Sequence, residues 1–181
     1  MQTPPKTSPQ TLTAQLRAAT RGDHEAVDHA YGRFAIDTLA GYRDFLTAHA
    51  RILPVAERLI DPASLTDNWH GRTELLFADL HLVEGVPPPE LDLNLPADAA
   101  ARWGALYVLE GSRLGGAVLA RRLPADFPAS FLQAHHQSGA WRELSGAIDR
   151  SDGGPQWQEA AVRGAKLLFG AYLRAAKLRE A

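Results

Sequence analysis

Cysteine is absent from this 181-residue sequence, and its absence excludes disulfide scaffolds, thiolate zinc sites, iron–sulfur clusters and cysteine nucleophiles. The same absence fits a reducing, cytoplasmic compartment. No stretch approaches the roughly 18 to 20 consecutive apolar residues of a membrane helix, and the opening MQTPPKTSPQ lacks the apolar core of a signal peptide. Membrane is therefore not an expected partner. Valine and isoleucine are sparse, and no segment alternates apolar and polar residues long enough to make a strand. An all-α fold is expected. Excess charge of either sign is missing too: 19 Lys+Arg stand against 21 Asp+Glu, for a net charge of −2. Nucleic acid is not favoured. A chain of this length makes one domain and buries roughly 70% of the surface its unfolded form exposes, so it needs no structural staple.

What is present is helical periodicity. Residues 1–10, rich in proline, threonine and serine, read as a disordered lead-in, and the domain spans 11–181. Apolar or small residues Leu16, Ala19, Val27, Ala30 and Tyr31 predict a helix from Leu12 to about Gly32. A second is predicted from Gly41 to Ile60 with a kink at Pro54, a third from Leu65 to Val83, and a fourth from Asp98 to about Leu123. A fifth runs from Ser130 to Ile148 and a sixth from Gln156 to Lys177.

Two segments carry chemistry. In LRAATRGDHEAVD, residues 16–28, His24 lies on the inner side of an amphipathic helix with Asp28 one turn on. Arg17, seven residues back, falls about 20° from His24 and about 10 Å along the axis of an unbroken helix. A carboxylate at i+4 accepts the Nδ1 proton of a histidine and leaves Nε2 free for a metal; a hydrogen-bonded core histidine beside a solvated arginine is the plainer alternative. The other segment, residues 104–116, sets Gly104, Gly111, Gly115 and Gly116 inside one predicted helix. Each mid-helix glycine costs about 1 kcal/mol relative to alanine. Gly111 and Gly115, four apart, share a face that admits either a crossing helix or a flat ligand.

With these residues in view the sequence resembles the haem oxygenase family, and in particular its short soluble bacterial branch. The resemblance rests on LRAATRGDHEAVD and on LYVLEGSRLGG at 106–116, about 85 residues apart. It is supported by RTELLFADL at 72–80 and AAVRGAKLLFGAYL at 160–173. It implies a helical domain holding haem b between a proximal N-terminal helix and a kinked, glycine-rich distal helix. His24 matches the proximal iron ligand, and Asp28 the carboxylate that bonds its other nitrogen. Gly111, Gly115 and Gly116 match the distal glycines. Arg17 and Tyr107 match positions that contact the haem propionates, and Arg142 sits near a further basic position in the fifth helix. At 112, where animal members carry an aspartate, this chain has Ser112 as related bacterial members do.

The implied function is oxidative cleavage of haem to biliverdin, carbon monoxide and ferrous iron. It uses O₂ and electrons from an external donor such as a ferredoxin, a flavin reductase or an ascorbate-like reductant; a bilin-using photoreceptor is a further implied partner. A haem-binding sensor or carrier on the same fold is the alternative. A carboxylate-bridged di-iron site is disfavoured because no Glu-x-x-His occurs. Of the other histidines, His29 lies about 140° round the helix from His24, and His49 occupies an apolar-phase position suited to the core or a pocket wall. The adjacent His135 and His136 make a poor chelate.

Overall fold

The computed structural model describes residues 10–178. The expectation of disorder at residues 1–10 falls, apart from Gln10, outside them. Among the described residues there are nine α-helices and no strand, and no helix is long and apolar enough to cross a membrane. The helices are α1 (Leu12–Ala19), α2 (Arg21–Tyr31), α3 (Leu39–Ala50), α4 (Leu53–Ile60), α5 (Thr73–Leu82), α6 (Ala99–Ala120), α7 (Ser130–Gln133), α8 (Ala140–Arg150) and α9 (Pro155–Lys177).

Side-chain caps set several of the starts. Thr11 Oγ1 accepts from Ala14 N at 3.3 Å, Thr38 Oγ1 from Gly41 N at 3.1 Å, and Asp98 Oδ1 from Ala101 N at 2.8 Å. Each satisfies an amide that the first helical turn leaves without a partner.

Four of the predicted helices are broken or shortened, and local chemistry accounts for each case. The first divides at Thr20 (φ −111°, ψ 10°), whose hydroxyl donates to the Leu16 carbonyl at 2.7 Å and so competes with the helical ladder. The second divides before Pro54, which takes an early position in α4, where its missing N–H costs nothing. The third begins only at Thr73, because the Glu57 carboxylate accepts from Arg72 N at 2.7 Å and Thr73 Oγ1 at 2.6 Å. The fifth is interrupted by residues 134–139, which end at Gly139 with φ of 90°.

The core is organised on the pair α6 and α9, the two longest helices. At their crossing, a Cβ on Gly104 would land on the Ala161 carbonyl, and one on Gly164 on the Ala101 carbonyl. The two glycines let the backbones touch. Around this contact Leu106, Leu109, Leu168, Phe45 and Leu46 are almost wholly buried, each contributing about 1.5 to 3 kcal/mol of transfer free energy. Helix α2 packs on α9, leaving an opening between α2 and the second half of α6.

Candidate functional site

That opening is a cavity of about 420 Å³, within the usual size range of cofactor pockets. One wall is α2, through His24, Val27, Asp28 and Tyr31; the facing wall is α6, through Tyr107, Gly111, Ser112, Gly115 and Gly116. Phe169 and Tyr172 of α9 lie between them, and Trp141 of α8 closes one side.

His24 and Asp28 stand one turn apart on α2, with Nδ1 and Oδ2 separated by 3.1 Å. Both are solvent-accessible, the histidine side chain being 62% exposed. Its ring meets the edge of Phe169, centroids 5.9 Å apart. His24 is therefore not a core histidine. With Nδ1 facing Asp28, its Nε2 is the nitrogen left to meet a ligand in the cavity.

The glycines of α6 divide into two kinds. Gly104 is used by the helix crossing. A Cβ at Gly115 would meet nothing within 4 Å, and one at Gly111 only the Trp141 ring at 3.7 Å. These two face the cavity, where no protein backbone takes up the space they leave. Gly116 lies closer to protein, its Cβ position 3.2 Å from the Leu132 carbonyl. Gly104 thus serves a helix crossing, while Gly111 and Gly115 serve none.

The inner end of the cavity is polar, and the sequence reading did not single out its principal residue. Arg72 is 3% exposed and lines the cavity. Its Nη2 donates to Leu109 O at 3.0 Å and Ser112 Oγ at 2.7 Å, and its guanidinium lies 5.3 Å over the Phe131 ring. Its Nε is buried without a partner. Burial is the main influence lowering the pKa of this guanidinium. Ser112 donates its one hydroxyl proton to Leu109 O at 2.6 Å, so Arg72, rather than Ser112, has a free N–H at this end. The sequence signal for Arg72 was its place at the head of RTELLFADL, a segment valued only for its resemblance.

His49 joins this end, as its apolar phase suggested. It is boxed by Tyr31, Phe45, Phe131 and Tyr172 at centroid distances of 4.6, 4.4, 5.2 and 5.8 Å. Its Nδ1 is 2.9 Å from Phe45 O. A carbonyl only accepts, so Nδ1 carries the proton. Burial lowers its pKa to about 4, so it is neutral at pH 7. Burial also raises Tyr172 to about 12 and pushes Tyr31 well above the usual phenol value. The Tyr31 hydroxyl is buried without a partner.

The remaining predicted residues lie nearer the rim or outside the wall. Tyr107 lines the cavity and packs against Trp141, centroids 5.9 Å apart. Its pKa is raised chiefly by burial, and the Arg17 charge opposes the rise. Arg17 is exposed and outside the lining. The break at Thr20 removes the single-helix phase that placed it in register with His24. Arg142 is exposed and outside the cavity wall, where its neighbour Trp141 stands instead. His135 and His136 lie in the loop before α8 rather than on a helix.

The chain matches no protein-family model. It is 30% identical over 144 residues to a heme oxygenase of Xanthomonas campestris pv. campestris (strain 8004), covering 71% of this chain and 84% of that protein. Its fold is similar to that of a heme oxygenase from Neisseria meningitidis solved with NO and CO bound. The TM-score is 0.78 at 23% identity, covering 92% of this chain and 90% of the other. Similarity over most of both sequences, on the same helical fold, places this chain in the haem oxygenase family.

Proposed function

We propose that the protein binds haem b in the cavity between α2 and α6 and opens its ring oxidatively, giving biliverdin, carbon monoxide and ferrous iron with O₂ and external electrons. The observation that carries this reading is the pairing of two opposed walls. One offers an accessible His24–Asp28 pair, the other a face at Gly111 and Gly115 with no side chain to fill it. A flat, metal-bearing ring is a ligand such walls would fit, with His24 to hold the metal. Arg72 adds a buried guanidinium to the lining at the inner end.

When bound, haem supplies the iron and the oxygen chemistry. His24 would hold the iron through Nε2, with Asp28, 3.1 Å from Nδ1, orienting the imidazole. Gly111 and Gly115 limit the height of the opposite space with backbone alone. Arg72, braced by Ser112 and Leu109, places its guanidinium in the lining of that space. His49, neutral at pH 7, leaves the charge there to Arg72. Phe131, Trp141 and Phe169 exclude bulk water. At the rim, Tyr107 and the Arg17 cation beside it are placed to receive propionate carboxylates, with Arg142 a further surface cation.

A haem carrier is the second reading, favoured by the commitment of the Ser112 proton to Leu109 O rather than to the cavity. A hemin titration followed by reductant under air separates the two. Loss of the Soret band with growth of broad red absorption supports ring opening; a Soret band that persists through reduction and aeration overturns it.

A further inference from the structure

On the face of α6 turned away from the cavity lies a second cluster of buried polar groups. Glu110 and Arg113 are 3% and 8% exposed. At 100° per residue Arg113 falls on the side of the helix opposite Gly111 and Gly115, and Glu110 lies about 100° to 140° round from them. Glu110 Oε1 accepts from Trp69 Nε1 at 2.9 Å and Oε2 from Arg113 Nε at 2.7 Å. Arg113 donates in addition to His70 O and, at 3.0 Å, to Ala134 O. His136 Nε2 donates to the Glu110 backbone carbonyl at 3.1 Å, and its ring packs on Trp141 with centroids 5.8 Å apart.

These bonds tie α6 to two separate segments, and both reach round the helix to the cavity. Trp69 and His70 are held at the back, and two residues later Arg72 enters the cavity to bond Leu109 O and Ser112 Oγ. Ala134 and His136 are held at the back, and Trp141 follows into the cavity wall. Glu110 is the only acceptor that Trp69 Nε1 and Arg113 Nε share among the described residues. A carboxylate so enclosed fixes its donors in place, and through them the backbone they belong to.

We propose that Glu110 is a positioning residue for ring opening, its carboxylate fixing Arg72 and Trp141 against α6 from behind the helix through Trp69 and through Arg113, which holds the His70 and Ala134 carbonyls. The proposal rests on the haem reading for what the positioning serves. The positioning itself is a property of the protein without haem.

Glu110→Gln tests it, keeping the shape and removing the charge. In the apoprotein, ¹⁵N NMR of the Arg72 Nε–H, assigned by its loss in Arg72→Lys, should shift together with the Trp69 indole N–H. In the haem complex, hemin affinity should be unchanged, while single-turnover ring opening slows about tenfold to a hundredfold and the biliverdin isomer ratio changes. Should Glu110→Gln not fold, Trp69→Phe removes one donor from the same carboxylate and should move the same signals less. A variant with a lowered Tm but a wild-type Arg72 signal, ring-opening rate and isomer ratio would show a stabilising pair and nothing more, and overturn the proposal. If the wild-type protein opens no ring, the haem reading fails, and the apoprotein Arg72 signal alone decides the role of Glu110.

Discussion

Asp28 Oδ2 stands 3.1 Å from His24 Nδ1, one turn along α2, with both residues on the cavity wall. The pair is accessible to solvent, so its value lies in orienting the imidazole rather than in stabilising the fold. Asp28→Ala is expected to fold normally and to bind hemin about tenfold more weakly, the usual cost of removing the partner of a metal-binding histidine. His24→Ala should lose the ferric histidine-ligated spectrum. Optical hemin titration measures both, and an unchanged Soret band and affinity in His24→Ala would remove His24 from the site.

The two kinds of glycine in α6 predict opposite outcomes. Gly115 has open space where a Cβ would stand, so Gly115→Leu should raise apoprotein stability by about 1 kcal/mol through helix propensity. The same leucine occupies the cavity and should abolish hemin binding. Gly104→Ala would press a methyl group on the Ala161 carbonyl and should destabilise the fold by about 1 to 3 kcal/mol or more. Urea unfolding and hemin titration on the two variants give the comparison. A Gly115→Leu protein that binds hemin as wild type does would show that this face holds no flat ligand.

Much of this site was legible in the sequence because its residues are local. His24 and Asp28 are one helical turn apart, and Gly111, Gly115 and Gly116 lie within six residues. The six apolar-periodic stretches marked where helices run, since the α6–α9 pairing and its neighbours bury the faces that periodicity marks. Periodicity was blind to the breaks. Thr20, Glu57 and Gly139 interrupt helices through side-chain bonds or a positive φ, neither of which alters apolar spacing. Arg72 was missed for a related reason: it is separated by 40 residues from Ser112, the hydroxyl that receives it, and an arginine before a helix reads as surface. Arg17 was aligned with His24 on a helix that the Thr20 break divides.

His49 makes stability depend on pH. Its folded pKa, lowered by burial to about 4, lies below the ordinary value of 6.5; the Phe45 carbonyl opposes the shift and the Arg72 charge adds to it. Between those values the unfolded chain binds a proton that the folded protein refuses. Stability is therefore fully present above about pH 6.5 and declines as pH falls toward 4, by about 3 kcal/mol in all. Urea unfolding of the apoprotein at pH 7 and pH 4 should show this loss in wild type and a smaller one in His49→Phe. The other histidines are common to both proteins, so the difference isolates His49. Equal losses in the two would show that His49 is not the group that titrates.

Arg72 sets stability against function. The bonds its guanidinium makes are to the neutral oxygens of Leu109 and Ser112, while its Nε has no partner and the side chain is buried. Burying such a charge is costly, and replacing it with an apolar chain of similar reach is often neutral or stabilising. Arg72→Met should therefore unfold within about 1 kcal/mol of wild type. Its ring-opening rate should fall about a hundredfold, since the donor at the inner end of the cavity is gone. The His24 wall is untouched, so hemin affinity and the ferric spectrum should persist. Single-turnover absorbance under air, beside a urea titration, reads both quantities. A variant that unfolds easily yet turns over at the wild-type rate would reverse the assignment, making Arg72 a structural brace between α5 and α6.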